Sequence, residues 1–276
     1  MNIKIVTDSS ADLRELCGAD FASAPLKIMT DEKEYNDNLD LDVHQMLDDL
    51  KKYKGRSHSS CPNTEEWLTA FGDAENIFCI TITSGLSGSY NSACVAAKIY
   101  MDDHPERRVY VIDSLSVGPE SAIIAEKLCE LAAIGCDFDT VIEKIKEFHN
   151  NTRLIFALES MHNLANNGRV SPIAAKMAGI LGIRAVGRAS DVGTLEMTGK
   201  SRGMYNTVSD IVKNMVSEGC AGGRIRIHHA DNEAAANLLK EKLTEQFSEA
   251  NITVQLARGL CCYYAEAGGL LVGFTV

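Results

Sequence analysis

The sequence holds no apolar run approaching the ~18 residues that a membrane-spanning helix needs, so no stable membrane insertion is expected. Its first residues, MNIKIVTDSS, lack a basic stretch followed by an apolar one. They read as the start of a strand rather than a secretory signal, and the expectation is a cytoplasmic protein. No CxxC occurs among the nine cysteines, and the seven histidines show no metal-ligand spacing. Most of the cysteines sit inside apolar segments, as reduced buried thiols do, and adjacent Cys261 and Cys262 cannot easily bridge to each other. Neither a metal nor a cofactor is therefore expected. A GxxxxGKS/T phosphate loop is also missing, which argues against an ATP site of the chain's own. The net charge of −11 excludes nucleic acid as the expected partner. No internal repeat or low-complexity segment is visible.

What is present is ordinary globular material, 45% hydrophobic and 24% charged over 276 residues, enough for one large or two modest domains. Apolar, β-branched runs alternate with helical spacing. IKIVTD (3–8) reads as a strand, SADLREL as a helix capped by Ser9 or Ser10, and FASAPLKI (21–28) as an extended stretch. Residues 40–53 have helical spacing, and Asn63 followed by Glu66 marks a capping-box start. NIFCITI (76–82), RVYVID (108–113), RLIFALES (153–160), TLEMTGK (194–200), RIRIHH (224–229), NITVQLA and LLVGF read as strands. Helices are expected at SGSYNSACVAAKIY, near 118–133 and 138–149, and at SPIAAKMAGIL, MYNTVSDIVKNMV and NEAAANLLKEKLTEQF. The fold class is α/β with two domains. The first, 1–150, has a mostly parallel sheet covered by helices; the second, 151–276, has a mixed or antiparallel sheet and helices.

Two loops of the first half are rich in hydroxyls. One is SHSSCPNTEEW (57–67); the other is TSGLSGSY (83–90), at the tip of a strand. Both precede a helix N-terminus, where free N–H groups and the helix dipole favour an anion. Capped turns alone would also favour such residues. The segment 151–230 carries ten Lys and Arg against five Asp and Glu on an otherwise acidic chain. That excess either balances the fold or meets an anionic ligand or acidic partner. GLSGS also resembles the nucleophile elbow GxSxG, which gives an acyl-ester serine hydrolase as the alternative function. The motif's second glycine is Ser89 here, and no Asp or His has an evident partner role.

DSSADL (8–13), SSCPNTEEW (59–67), TSGLSGSYNSA (83–93), VIDS (111–114), ESMHNLANNGRVS (159–171), LGIR (181–184) and SR (201–202) follow one another in the order seen in the DegV family, which the chain resembles over nearly its whole length. The resemblance implies a lipid-binding protein of two α/β domains that is not itself an enzyme. A long-chain fatty acid would lie between the domains, and the protein would present it to the catalytic subunit of a separate fatty acid kinase. It implies a carboxylate held by Ser59, Ser87 and nearby backbone N–H groups such as that of Gly88. Arg169 and Arg202 match arginines tied to the kinase partner or phosphoryl transfer. The family's C-terminal histidine falls on Tyr264, or on Tyr263 if the register slips by one; a phenol can donate a hydrogen bond but does not become a cation. The acyl-chain wall is expected from Leu158, Met161, Leu164, Ile173, Met177, Ile180 and Leu181. No residue is assigned a catalytic role.

Overall fold

The computed structural model describes residues 2–16, 18–171 and 182–276. The N-terminal domain contains β1 (Lys4–Asp8), β2 (Asp20–Ala24), β3 (Lys27–Met29), β4 (Glu34–Asn36), α1 (Val43–Lys52), β5 (His58–Ser60), α2 (Thr64–Phe71), β6 (Asn76–Thr81), α3 (Ser89–Asp103), β7 (Arg108–Asp113), α4 (Pro119–Ala133) and α5 (Phe138–His149). Strands β2-β1-β6-β7 form a parallel sheet, and β4-β3-β5 form a small antiparallel one. The continuous apolar runs of β1 and β6 follow from burial on both faces. Val6, Ile77 and Cys79 face Trp67 and Phe71 of α2 and Ala96 of α3. Ile5, Phe78 and Ile80 face Leu128 of α4 and Ile145 of α5. Asn63 and Glu66 form the expected capping box at the start of α2.

The C-terminal domain contains β8 (Thr152–Leu158), α6 (His162–Asn166), β9 (Ile183–Ala189), β10 (Leu195–Arg202), α7 (Met204–Ser217), β11 (Arg224–His229), α8 (Glu233–Gln246), β12 (Asn251–Leu256), α9 (Gly259–Ala265) and β13 (Leu270–Thr275). Its sheet runs β10-β9-β8-β13-β11-β12 and is mixed, antiparallel except for the β11–β12 pair. Side-chain alternation sorts its residues between two faces. Ile155, Ala157, Val272 and Phe274 pack under α7 and α8. Leu154, Phe156, Leu158 and Leu271 face the other way, into a cluster shared with α1, β3 and α9.

Helix α4 joins the two domains. A side chain on Gly273 of β13 would run into the backbone of Pro119 and Glu120, so this glycine permits the helix to start against the strand. Farther along α4, Glu126 accepts two 2.7 Å hydrogen bonds from Arg226 of β11 in a bidentate pair, and Arg224 pairs with Glu126 and Glu130.

Three local expectations change. SADLREL is a single 3-10 turn, Ser9–Ala11, not a helix. The hydroxyl groups that suggested a cap are engaged elsewhere: Ser9 Oγ accepts from Leu26 N, and Ser10 donates to Asp8, whose carboxylate caps the turn. The chain then leaves through Asp12 in the left-handed region, φ 60°. FASAPLKI splits at Pro25 into β2 and β3, which belong to different sheets. Strands β4, β5 and β9 and helices α6 and α9 are additional elements. The expected helix SPIAAKMAGIL lies outside the described residues. The eight described cysteines form no disulfide with one another. Among the described residues, no helix is long and apolar enough to cross a membrane.

Candidate functional site

A cavity, partly open to solvent, lies between the two domains. Its walls are mostly apolar. Leu26, Ile82 and Val117 come from the N-terminal domain, while Leu154, Phe156 and Leu158 project from the sheet face of the other domain. Phe156 pairs with Gly187 on β9, and a side chain on that glycine would collide with the Phe156 ring. Helix α9 adds Leu260, Cys261 and Tyr264.

The polar groups of the cavity come from β5, two loops and α9. Ser59 in the middle of β5 and Tyr264 on α9 bring their hydroxyl oxygens to 2.6 Å. Ser87 and the half-buried Arg169 also line the cavity. The Arg169 guanidinium lies 5.9 Å from the centre of the Tyr264 ring, and its Nε donates to the carbonyl of Leu86 at 3.3 Å. Burial pushes the Tyr264 phenol above its ordinary pKa, with the Ser59 hydrogen bond and the Arg169 charge opposing. Burial likewise pushes up the Cys61 thiol, whose sulfur would lie 3.4 Å from a side chain added at Gly88. Both groups are neutral near neutrality. The cluster offers hydroxyl donors and one cation to an anion.

Three hydroxyls of the 83–89 loop have separate tasks. Thr83 Oγ1 donates to the Gly193 carbonyl at 2.8 Å and ties the loop to the β9–β10 turn. Ser89 Oγ donates to Asp8 at 2.6 Å, anchoring the start of α3 on β1. Asp8 also accepts from Ile82 N at 2.9 Å. Burial pushes its carboxyl upward in pKa against these hydrogen bonds. Ser87 Oγ accepts from Ser89 N at 3.2 Å and lines the cavity. Gly88, the N-cap residue of α3, is exposed beside it. Among the described residues, no histidine or carboxylate hydrogen-bonds Ser87, so the serine-hydrolase arrangement finds no base there.

Helix α9 is fixed by a buried polar network that sequence reasoning missed. Asp37, Asp12, His228 and Arg258 are each at most 3% exposed. Asp37 accepts from Gly259 N at 2.9 Å and Leu260 N at 3.0 Å, capping α9 from a distant loop. Arg258 donates to the carbonyls of Asp37 and Leu13. Asp12 accepts from Arg258 N and from His228 Nδ1, each at 2.8 Å. Buried charges are tolerated here because each has a partner. Isolated Asp and Arg residues in loops carry no local sign of such pairing.

Of the other expected residues, Leu158 and Leu164 line the cavity. Met161 is buried in the adjoining core cluster, not among the lining residues. Ile173, Met177, Ile180 and Leu181 lie outside the described residues. Arg202 is exposed at the end of β10, away from the cavity lining. The two tyrosines separate clearly: Tyr264 meets Ser59, whereas the Tyr263 hydroxyl contacts Ser57 Oγ at 2.8 Å and Asn167 Nδ2 at 3.0 Å.

Comparison with known proteins matches residues 2–274 to the model of the DegV family. A DegV domain-containing protein of Streptococcus pneumoniae is 41% identical over 280 residues, covering 100% of both chains. A DegV family protein from Eubacterium eligens, solved loaded with heptadecanoic acid, is 43% identical with a TM-score of 0.98 and 99% coverage of each chain. The Streptococcus pneumoniae Fatty Acid Kinase (Fak) B3 protein, solved loaded with linoleic acid, is 40% identical with a TM-score of 0.98 and 100% coverage of each chain. The family match over residues 2–274, together with relatives of this identity and coverage, means that the chain belongs to the DegV family.

Proposed function

We propose that the protein is a non-catalytic carrier that binds a long-chain fatty acid in the interdomain cavity and presents its carboxylate to a separate kinase subunit. The observation that carries this reading is the cluster of Ser59, Ser87, Arg169 and Tyr264 on an otherwise apolar cavity. The fatty acids held by the two relatives with TM-scores of 0.98 support it. A C16 chain buries ~15 carbons at ~0.8 kcal/mol each, about 12 kcal/mol of gross driving force. Association and chain ordering offset about half of that. The head group then has one requirement: a carboxylate leaving water must find donors, or it costs several kcal/mol. The Ser59–Tyr264 pair, Ser87 and the Gly88 N–H supply them, with Arg169 adding charge.

In this reading the N-terminal domain, 1–150, contributes the head-group loops, and the C-terminal domain, 151–276, contributes most of the acyl wall. Exposed Gly88 leaves the carboxylate end near the surface, where a partner reaches it. Arg202 faces solvent and suits contact with that partner. The test is native mass spectrometry of the purified protein followed by organic extraction. A single fatty acid per chain is expected. Protein that carries none, and that fails to take up hexadecanoic or octadecanoic acid in calorimetry, would refute the proposal. Release of p-nitrophenol from acyl esters is expected to stay at the buffer rate.

A further inference from the structure

A second cavity, also partly open, adjoins the first at a shared wall residue. Its character is different. Glu120, His149, Arg153, Ser190 and Asp191 are among its lining residues. Glu120 is 4% exposed; its Oε1 accepts from Thr152 Oγ1 at 2.7 Å, while Oε2 is buried with no hydrogen-bond partner. His149 Nε2 is held by the Ser114 carbonyl at 2.8 Å. Among the described residues, Leu154 alone lines both cavities.

Leu154 is 1% exposed, near the start of β8. It stands four residues, about 13 Å along the strand, from Leu158. Beyond Leu158 the chain leads to Leu164 and Arg169, near the polar cluster. A carboxylate held by that cluster would send its methyl end toward Leu154. On one side Leu154 pairs with Gly273, which has no side chain to share in the wall. On the other, β9 contributes Ala189, which pairs with Leu195 of β10. The branched side chain of Leu154 thus stands between an apolar space and a polar one.

We propose that Leu154 sets the length of acyl chain the protein accepts, by closing the apolar cavity against the polar cavity behind it. The inference rests on the fatty-acid reading above. Two effects act together. The isobutyl group blocks the methyl end sterically, and a chain passing it would enter a space lined by Glu120, His149 and Arg153 to which it offers no hydrogen bond. A chain shorter than the stop forfeits burial, about fourfold in affinity per missing methylene.

The experiment measures dissociation constants for saturated acids from dodecanoic to docosanoic, on the wild type and on Leu154→Ala, Leu154→Val and Leu154→Phe. Thermal midpoints report folding. Leu154→Ala removes three carbon atoms and is expected to move the optimum about two carbons longer. Leu154→Val, a milder core change, moves it about one carbon longer, and Leu154→Phe moves it shorter. A wild type that binds the series, with folded variants keeping its optimum, overturns this inference alone. A wild type that binds none of the acids overturns the fatty-acid reading and this inference with it.

Discussion

The contact between Ser59 and Tyr264 predicts a non-additive pair of mutations. Their oxygens lie 2.6 Å apart in a part-buried setting, so one hydroxyl donates to the other. That bond consumes one of two protons. The remaining proton is the one available to a carboxylate. Removing Ser59 frees the phenol to donate directly; removing the phenol frees the serine. Ser59→Ala or Tyr264→Phe alone should therefore cost about 1 kcal/mol, near fivefold in Kd. The double mutant leaves the carboxylate with neither donor and should cost about 3 kcal/mol, on the order of 150-fold, the upper range for a hydrogen bond to a charged group. The double thus exceeds the sum of the singles by about 1 kcal/mol, as groups in direct contact can. Calorimetric titration with hexadecanoic acid would measure the cycle, with a thermal midpoint as the folding control. A double mutant within a factor of about two of the wild type would remove both residues from the binding site. Large and additive single losses would show that the two hydroxyls do not share one proton.

Fatty acid affinity should be flat from about pH 6 to 8, because burial raises Tyr264 and Cys61 above ordinary values of 10.0 and 9.0 and both stay neutral there; Tyr264→His should introduce a dependence near pH 6 to 7, and a tenfold change in the wild type would point to another titrating group. Arg202→Ala should abolish acyl-phosphate formation with a reconstituted kinase subunit while leaving affinity within a factor of a few, whereas Arg169→Ala should lower both, since Arg169 lines the cavity; comparable binding loss in the two variants would refute the assignment. Asp37→Ala leaves Arg258 buried without its carboxylate and α9 without its cap, so denaturant unfolding should show a loss of about 3–5 kcal/mol, and a midpoint unchanged from wild type would show that the network contributes nothing net.

The fold was legible where local chemistry and tertiary environment agree. Strands β1, β6 and β8 are β-branched and apolar because both faces of their sheets are covered, and the Asn63–Glu66 box is local by nature. SADLREL misled because Ser9 braces Leu26 and Ser10 bonds Asp8, so neither caps a helix. Helix α9 was invisible for the opposite reason. GLCCYYA contains only one strong helix-forming residue besides its final alanine, and the helix exists because Asp37 caps it from 222 positions away. The site shows the same division. The hydroxyl loops and the family resemblance pointed to Ser59 and Ser87, but the meeting of Ser59 with Tyr264 spans 205 positions. Leu154 carries no mark at all: on an alternating strand it reads like any core residue, and only the second cavity behind it distinguishes it.

The placement of charge bears on how such a carrier can release its cargo. A buried polar network lies behind the wall, where Asp12, Asp37, His228 and Arg258 are sealed and hold α9 in position. The cavity itself offers neutral hydroxyls and one half-buried guanidinium whose Nε is already engaged by a carbonyl. A carboxylate locked to a fully buried cation would leave an unpaired charge on departure, at a cost of about 3–5 kcal/mol. Hydroxyls instead can turn to one another, as the 2.6 Å contact between Ser59 and Tyr264 allows. With the acyl chain supplying the driving force, the head group needs donors that satisfy it without trapping it. Neutral donors near the surface, backed by a rigid charged network, meet both requirements in the proposed complex.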